Sequence, residues 1–238
     1  MVETMADRVL FVGRDKAAID PLKRRLRRAG LDHVVVTTSD EGKVGEHLRQ
    51  DSTVIVVDGV SPEEESPRVC ERLRAMTNAP IIALCDAGDG DVDERVACLE
   101  AGADDSLLKP VDPKLFVARV RACLRRVHRL VAREPDGQVL EVGRLHVDLR
   151  QREVLLRGEP VELTPKEFDL LAALAQNVGY PVSSGELLKQ VWGYEPCCRT
   201  RTLDVHISRL RSKLEPTPDD PRIIVTVRCF GYKLVSPG

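Results

Sequence analysis

The sequence predicts a two-domain protein: an α/β domain built on a doubly wound, five-stranded parallel sheet, then a smaller α+β domain that ends in a hairpin. Three observations carry this expectation. The chain has 238 residues, the length of two ordinary domains. Residues 1–131 alternate short β-branched runs with helical stretches five times over, as parallel sheets require. Helical periodicity then stops at Arg133-Glu-Pro-Asp-Gly-Gln138, a polar stretch with Pro and Gly that reads as a boundary. The expected organisation is a domain over 1–131, a linker over 132–137 and a second domain over 138–238.

In the first domain the strand candidates are 8–12, 33–37, 53–57, 80–85 and 105–108. The third and fourth are almost wholly apolar, as befits strands covered on both faces. The helix candidates between them are 17–29, 40–49, 65–76, 92–101 and 113–131. Functional groups of such a sheet gather at the carboxyl ends of its strands, so the residues just after each strand are the ones to inspect.

The second domain opens with short alternating segments over 139–142, 144–148, 153–156 and 159–162, punctuated by Gly143 and Gly158, the pattern of a small antiparallel sheet. Thr164 is a natural N-cap. Pro165 takes the first helical position and Glu167 completes a capping box ahead of Phe168, Leu170, Leu171 and Leu174. A second helix is expected over 184–191 and a third over 200–214. Residues 222–228 and 233–235 close the chain as a hairpin, with Gly231 near its turn.

Charge and cysteine content exclude several classes. Thirty-six basic against 38 acidic residues leave a net charge of −2, which rules out a histone-like coat for nucleic acid but not a local basic surface. No run of 18 apolar residues and no signal-peptide pattern at the start point to a soluble, cytoplasmic protein without membrane contact. Seven cysteines without paired CxxC spacing suit small buried thiols in a reducing compartment rather than a disulfide scaffold or zinc site. The acidic loop 86–94 lacks EF-hand spacing and reads as solvated. No nucleophile, base and oxyanion set converges, so an enzyme is not expected.

The positive charge is concentrated on the third helix of the second domain, where residues 199–213 carry Arg199, Arg201, Arg209, Arg211 and Lys213 against Asp204. Leu203, Ile207, Leu210 and Leu214 form its core-facing stripe. Arg201, Thr202, Val205, His206, Ser208, Arg209 and Arg211 are expected on the other side. Guanidinium forks with short polar or methyl-bearing neighbours are what a helix in a DNA major groove needs. His206 has no second His at helical spacing, so a hydrogen-bonding role at that face is expected rather than metal ligation. With a capped helix pair before it and a hairpin bearing Thr226, Arg228 and Tyr232 after it, the layout is that of a winged helix-turn-helix.

Leu163-Thr-Pro-Lys-Glu-Phe-Asp-Leu-Leu171, Val191-Trp-Gly-Tyr194, Arg201-Thr-Leu-Asp-Val-His-Ile207 and Val225-Thr-Val-Arg-Cys-Phe-Gly-Tyr232 resemble the effector domain of OmpR/PhoB-type response regulators over 138–235. The resemblance implies a recognition helix over 201–213, with Arg228 near the minor groove. It also implies a transactivation loop that meets RNA polymerase, here Trp192, Gly193, Tyr194, Glu195, Pro196, Cys197 and Cys198, although Trp192 itself suits the core. Cys197-Cys198 and Cys229, where the family usually has a small Gly, depart from the pattern.

The first domain resembles the receiver domain of the same regulators over 7–131. Asp58 follows the third strand with Pro62 four residues on, Ala101-Gly-Ala-Asp-Asp105 precedes the fifth strand, and Lys109-Pro110 follows it where the family has an often cis bond. In an active receiver the equivalent Asp accepts a phosphoryl group, and the Lys balances its charge. The family's acidic pair for magnesium falls here on Gly13 and Arg14, with Asp15 one residue late. Cys85 stands at the usual Ser or Thr switch position and Ser106 at the usual aromatic one.

The reading is therefore a DNA-binding transcription regulator with an atypical receiver, no cofactor, and no dependence on magnesium-assisted phosphorylation of Asp58. An ion pair of Asp58 with Arg14 or Lys109 would mimic a neutralised site. Two alternatives stay open. One is a conventional phosphorelay through Asp58; the other is a ligand or redox sensor using the cleft around Gly13, Asp58 and Cys85, or the Cys197-Cys198 pair. Expected partners are double-stranded DNA at direct repeats, RNA polymerase, an unidentified small-molecule ligand, and a second copy. The dimer would form through the receiver, with Arg119, Arg121, Arg125 and Arg126 pairing with Asp104, Asp105 or Glu94 across a two-fold axis. Arg outnumbers Lys 27 to 9, usage that suggests a GC-rich bacterial genome.

Overall fold

Right-handed crossovers between β-branched runs lead to a parallel sheet with helices on both faces, and that is the architecture of the first unit in a computed structural model of the chain. Residues 7–13, 16–36, 41–48, 53–58, 66–86, 91–132, 139–194 and 201–236 are described. The chain divides into two units, Met1–Val131 and Ala132–Gly238.

In the first unit, strands β1 (Arg8–Gly13), β2 (Asp32–Val36), β3 (Thr53–Asp58), β4 (Ile81–Cys85) and β5 (Asp105–Leu108) form one sheet in the order β2-β1-β3-β4-β5. All pairings are parallel. Helices α1 (Lys16–Arg28), α2 (Glu41–Leu48), α3 (Ser66–Met76), α4 (Asp91–Glu100) and α5 (Pro113–Ala132) alternate with the strands. Alternate strand residues point to opposite faces. Val9, Phe11, Val54, Val56, Ile82 and Leu84 therefore share one core with Ile19, Leu22 and Leu26 of α1 and with Phe116, Val120 and Leu124 of α5. The opposite face is covered by α2, α3 and α4, as right-handed crossovers dictate.

The second unit begins with an antiparallel sheet of β6 (Val139–Val142), β7 (Leu145–Asp148), β8 (Glu153–Leu156) and β9 (Glu159–Pro160). The last strand is shorter than the 159–162 expected, and Pro160 has no N–H to donate to a ladder. Helix α6 (Pro165–Ala175) carries the predicted capping box in full. The expected helix over 184–191 divides into α7 (Ser184–Leu187) and a π-helical turn, Leu188–Trp192, closed by Gly193 at φ 70°. Helix α8 (Thr202–Leu214) follows.

Sequence patterning misses one strand, β10 (Val182–Ser183), which joins the hairpin of β11 (Ile224–Val227) and β12 (Gly231–Leu234) in a three-stranded sheet, order β10-β12-β11. Its place depends on Gly231, where a Cβ would come within 2.1 Å of the Val182 carbonyl oxygen. Any other residue would push the hairpin off the edge of the unit.

Candidate functional site

Parallel pairing brings the ends of β1, β3, β4 and β5 together. Asp58 closes β3 opposite Gly13 and is almost wholly buried, at 1% exposure. Lys109, one residue beyond β5, is held by the bond from its backbone N–H to the Cys85 carbonyl at 2.8 Å and precedes Pro110 through the expected cis peptide. Its ammonium donates to Asp58 Oδ1 at 3.1 Å and lies 2.9 Å from Asp86 Oδ1. Burial alone would lower the Lys109 pKa. The Asp86 and Asp58 carboxylates outweigh it and hold the ammonium above its ordinary value.

Gly13 is spatially constrained. A Cβ at that position would lie 2.2 Å from the Asp58 carbonyl oxygen, so β1 and β3 leave no space for a side chain there. Arg14 and Asp15 lie outside the described residues. Cys85 ends β4 fully buried, and its thiol bonds with Cys98 of α4, which in turn bonds with Cys70 of α3. The Cys98 contact and burial push the Cys85 thiol far above its ordinary range, which makes it a packing group rather than a reactive thiolate. Ser106 is buried and accepts from Arg95 Nε at 3.3 Å.

The acids expected to cross a dimer axis face inward. Asp104 accepts from Arg74 at 2.6 Å and from the Ile81 backbone N–H at 2.8 Å. Asp105 lies 3.9 Å from Arg119 of the same chain, and Arg121 donates to the Ala29 carbonyl at 3.1 Å. The two acids are buried and already partnered, which corrects their assignment to an intersubunit contact.

In the second unit the capping box becomes an anchor. Glu167 accepts from the Thr164 N–H at 2.8 Å, and the same carboxylate lies 2.8 Å from both Arg209 Nε and Lys213 Nζ of α8. Burial would raise the Glu167 pKa, but Arg209, Lys213 and the Thr164 N–H together hold it below the ordinary value. On the hairpin side Arg211 donates to the Ile224 carbonyl at 3.0 and 2.7 Å and to Thr226 Oγ1 at 2.8 Å. Tyr232 donates its hydroxyl to Asp204 at 2.9 Å, and burial together with that carboxylate pushes its pKa up to about 12. Glu215, just past α8, accepts from the N–H groups of Arg222, Ile223 and Ile224.

Three residues expected on the DNA side of α8 are instead buried: Thr202, Val205 and His206. His206 Nδ1 pairs with the Thr202 carbonyl at 2.8 Å, and its ring meets Trp192 edge-on at 5.0 Å between centroids. Lys166 extends along the same indole and donates to the Val191 carbonyl. Trp192 and Tyr194 are core residues, not loop contacts. Glu195, Pro196, Cys197 and Cys198 lie outside the described residues. The exposed side of α8 and the hairpin retains Arg201, Ser208, Lys213, Thr226 and Arg228, with Arg209 and Arg211 partly exposed. Sequence reading also misses Glu167 and Asp204 as the acids that hold the helix. The capping-box motif at Glu167 is the available signal, but a cap alone does not announce a second set of partners.

A doubly wound unit with an acid and a lysine meeting at its strand ends, in one chain with a helix gripped by a winged hairpin, defines a two-domain regulator. Similarity to known proteins assigns the family. Residues 9–121 match the response regulator receiver domain, and residues 158–234 match the family described as transcriptional regulatory protein, C terminal. The sensory transduction protein RegX3 of Mycolicibacterium smegmatis is 39% identical over 226 residues, covering 95% of this chain and 98% of its own. The DNA-binding response regulator MtrA of the same organism is 37% identical over 237 residues, covering 99% and 100%. Among solved structures a mutant of RitR superposes with a TM-score of 0.70 at 25% identity, covering 96% of this chain and 99% of that one. The chain belongs to the OmpR/PhoB-type response regulators, with a receiver and a transcriptional effector domain.

Proposed function

We propose that this response regulator is a sequence-specific DNA-binding transcription factor whose activity does not depend on magnesium-assisted phosphorylation of Asp58. The observation that carries the second clause is the strand-end geometry. Asp58 already shares a contact ion pair with Lys109, and the position facing it, Gly13, has no room for a side chain. A magnesium ion needs hard oxygen ligands in octahedral geometry. The family's two acidic positions hold Gly13 and Arg14, which supply no side-chain oxygen and one fixed positive charge. These residues do not fit the ion. The neutralising role that phosphate chemistry would give Lys109 is instead taken by its pairing with Asp58 and Asp86.

DNA as partner is supported by the effector family and by the description of MtrA as DNA-binding. Arg201, Ser208 and Arg228 would be the contacts, and Arg209, Arg211 and Lys213 would add positive field while holding the helix in place. The loop after Trp192 is the proposed contact for RNA polymerase, and paired copies on direct repeats are the proposed binding unit. Among the described residues no helix is long and apolar enough to cross a membrane, in keeping with a cytoplasmic site of action.

The test is fluorescence anisotropy of the full chain on duplexes from its own upstream region, with and without acetyl phosphate and magnesium, and with Asp58→Asn. Equal affinity in all conditions is expected. Tightening by acetyl phosphate that Asp58→Asn abolishes would overturn phosphorylation independence and restore the conventional relay.

A further inference from the structure

The receiver unit carries a charge asymmetry that its strand-end cleft does not use. Helix α1 has six basic residues and one acid, Asp20, and α5 has six basic residues and no acid. Both helices cover the same face of the sheet, because their apolar residues share one core. On the other face α2, α3 and α4 together carry seven acids and five bases. A unit with nearly balanced charge therefore presents one strongly cationic side.

The cations on that side are outward and joined. Arg24, Arg27 and Arg28 of α1 and Arg121 and Arg125 of α5 are exposed. The Arg121 bond to the Ala29 carbonyl ties α5 to the end of α1, so the two cationic helices form one surface. Arg24 with Arg28 and Arg121 with Arg125 stand at i,i+4, where like charges repel. Of the nearby acids, Asp20 is taken by Lys23 at 3.1 Å, and Asp112 is held by the backbone N–H groups of Lys114 and Leu115. The field is felt on the neighbouring strand: burial first, then Arg27 and Lys23, keep the His33 imidazole below its ordinary pKa. The helix dipole accounts for cations in the last turn of α1. It does not account for Arg121 and Arg125, which lie in the middle of α5.

We infer that the α1–α5 face of the receiver binds the sugar-phosphate backbone of duplex DNA, without sequence preference, as a contact separate from the effector helix. The occupant follows from the reading of the chain as a DNA-binding regulator, because the covalently attached effector raises the local concentration of duplex. Guanidinium groups set on two packed helices suit the regular phosphate array of a rigid duplex. A lipid surface would need apolar anchors beside the charges, and on these two helices Leu115 is the one large exposed apolar side chain among the described residues.

The test uses the full chain and measures affinity for duplexes against salt, with Arg24, Arg28, Arg121 and Arg125 all changed to Gln, and in a second variant all changed to Lys. Each phosphate that the protein no longer neutralises should reduce the slope of log K against log salt by about 0.9, so the Gln variant should be shallower by about 3 to 4 and at least about tenfold weaker at low salt. The Lys variant should keep the wild-type slope, which separates charge from folding. An unchanged slope in the Gln variant, with upstream DNA still bound, overturns this inference alone. Failure of the wild-type chain to bind any duplex overturns the regulator reading and this inference with it. Abolished binding to anionic phospholipid vesicles in the Gln variant, with its DNA slope unchanged, would reassign the face to a membrane and overturn the DNA contact.

Discussion

Each unit of this protein has a buried carboxylate paired with cations, and the two pairs are built for opposite purposes. Asp58 meets Lys109, which also serves the exposed Asp86 at the mouth of the cleft. Glu167 gathers Arg209 and Lys213 from α8 and the Thr164 N–H from the cap of its own helix. A cation shared between a buried and an exposed acid can be redistributed at small cost. A carboxylate held by two cations and a backbone donor fixes the pose of the element that supplies them. The receiver pair is a balance of charge at a cleft, whereas the effector pair is a brace under helix α8.

The strongest way to break this contrast is Glu167→Ala, which strips α8 of its brace and α6 of the side-chain half of its capping box that returns to the Thr164 N–H. Destabilisation of about 3 kcal/mol is expected, at the low end for a buried ion pair because Lys213 can turn to water. Urea unfolding followed by the fluorescence of Trp192, the single tryptophan, reads the effector unit directly. The same pair sets an acid limit. The folded pKa of Glu167 is below 4.5, so its contribution is present above that value and is lost as pH falls through the lowered one.

Next in size is Gly13→Asp, which introduces a second carboxylate opposite Asp58. Overlap with the Asp58 carbonyl should destabilise the receiver by about 2 kcal/mol without creating a magnesium site. Calorimetry with and without magnesium checks both outcomes, and a melting temperature raised by the ion would refute the steric account. Lys109→Ala should cost the receiver up to about 2 kcal/mol, the worth of a charged hydrogen bond. Because the Lys109 pKa is raised, that contribution is present below 10.5 and is lost as pH rises through the raised value. The two units should therefore weaken at opposite ends of the pH scale, which separate melting transitions would reveal. Thr164→Ala is the mildest probe, expected to cost about 1 kcal/mol by removing the N-cap while leaving the Glu167 brace in place.

Most of the architecture is legible in the sequence because each strand of the receiver is a short apolar run and each helix carries its own period. The errors in the effector share one cause. The stripe of Leu203, Ile207, Leu210 and Leu214 reads as the whole buried face of α8, but the helix is packed against more than one element. Trp192, on the π-helical turn, meets the His206 ring edge-on, and His206 is held in turn by the carbonyl of buried Thr202. Polar residues that fill space beside an indole look like surface residues in a pattern of hydrophobicity. Asp104 misleads in the same way, since the carboxylate that caps the Ile81 N–H and anchors Arg74 is indistinguishable in sequence from a solvated acid. Two-residue β10 lies below the length at which alternation is visible at all.

Cys229 stands at the tip of the winged hairpin with φ at 59°, in the left-handed region that favours glycine. A side chain there strains the folded turn, but it also removes backbone states that a glycine would sample. The wing is thus stiffened before it meets anything. Whatever it docks against gains a partner with less disorder to lose, and Cys229→Gly should make the hairpin tip looser while relieving its strain.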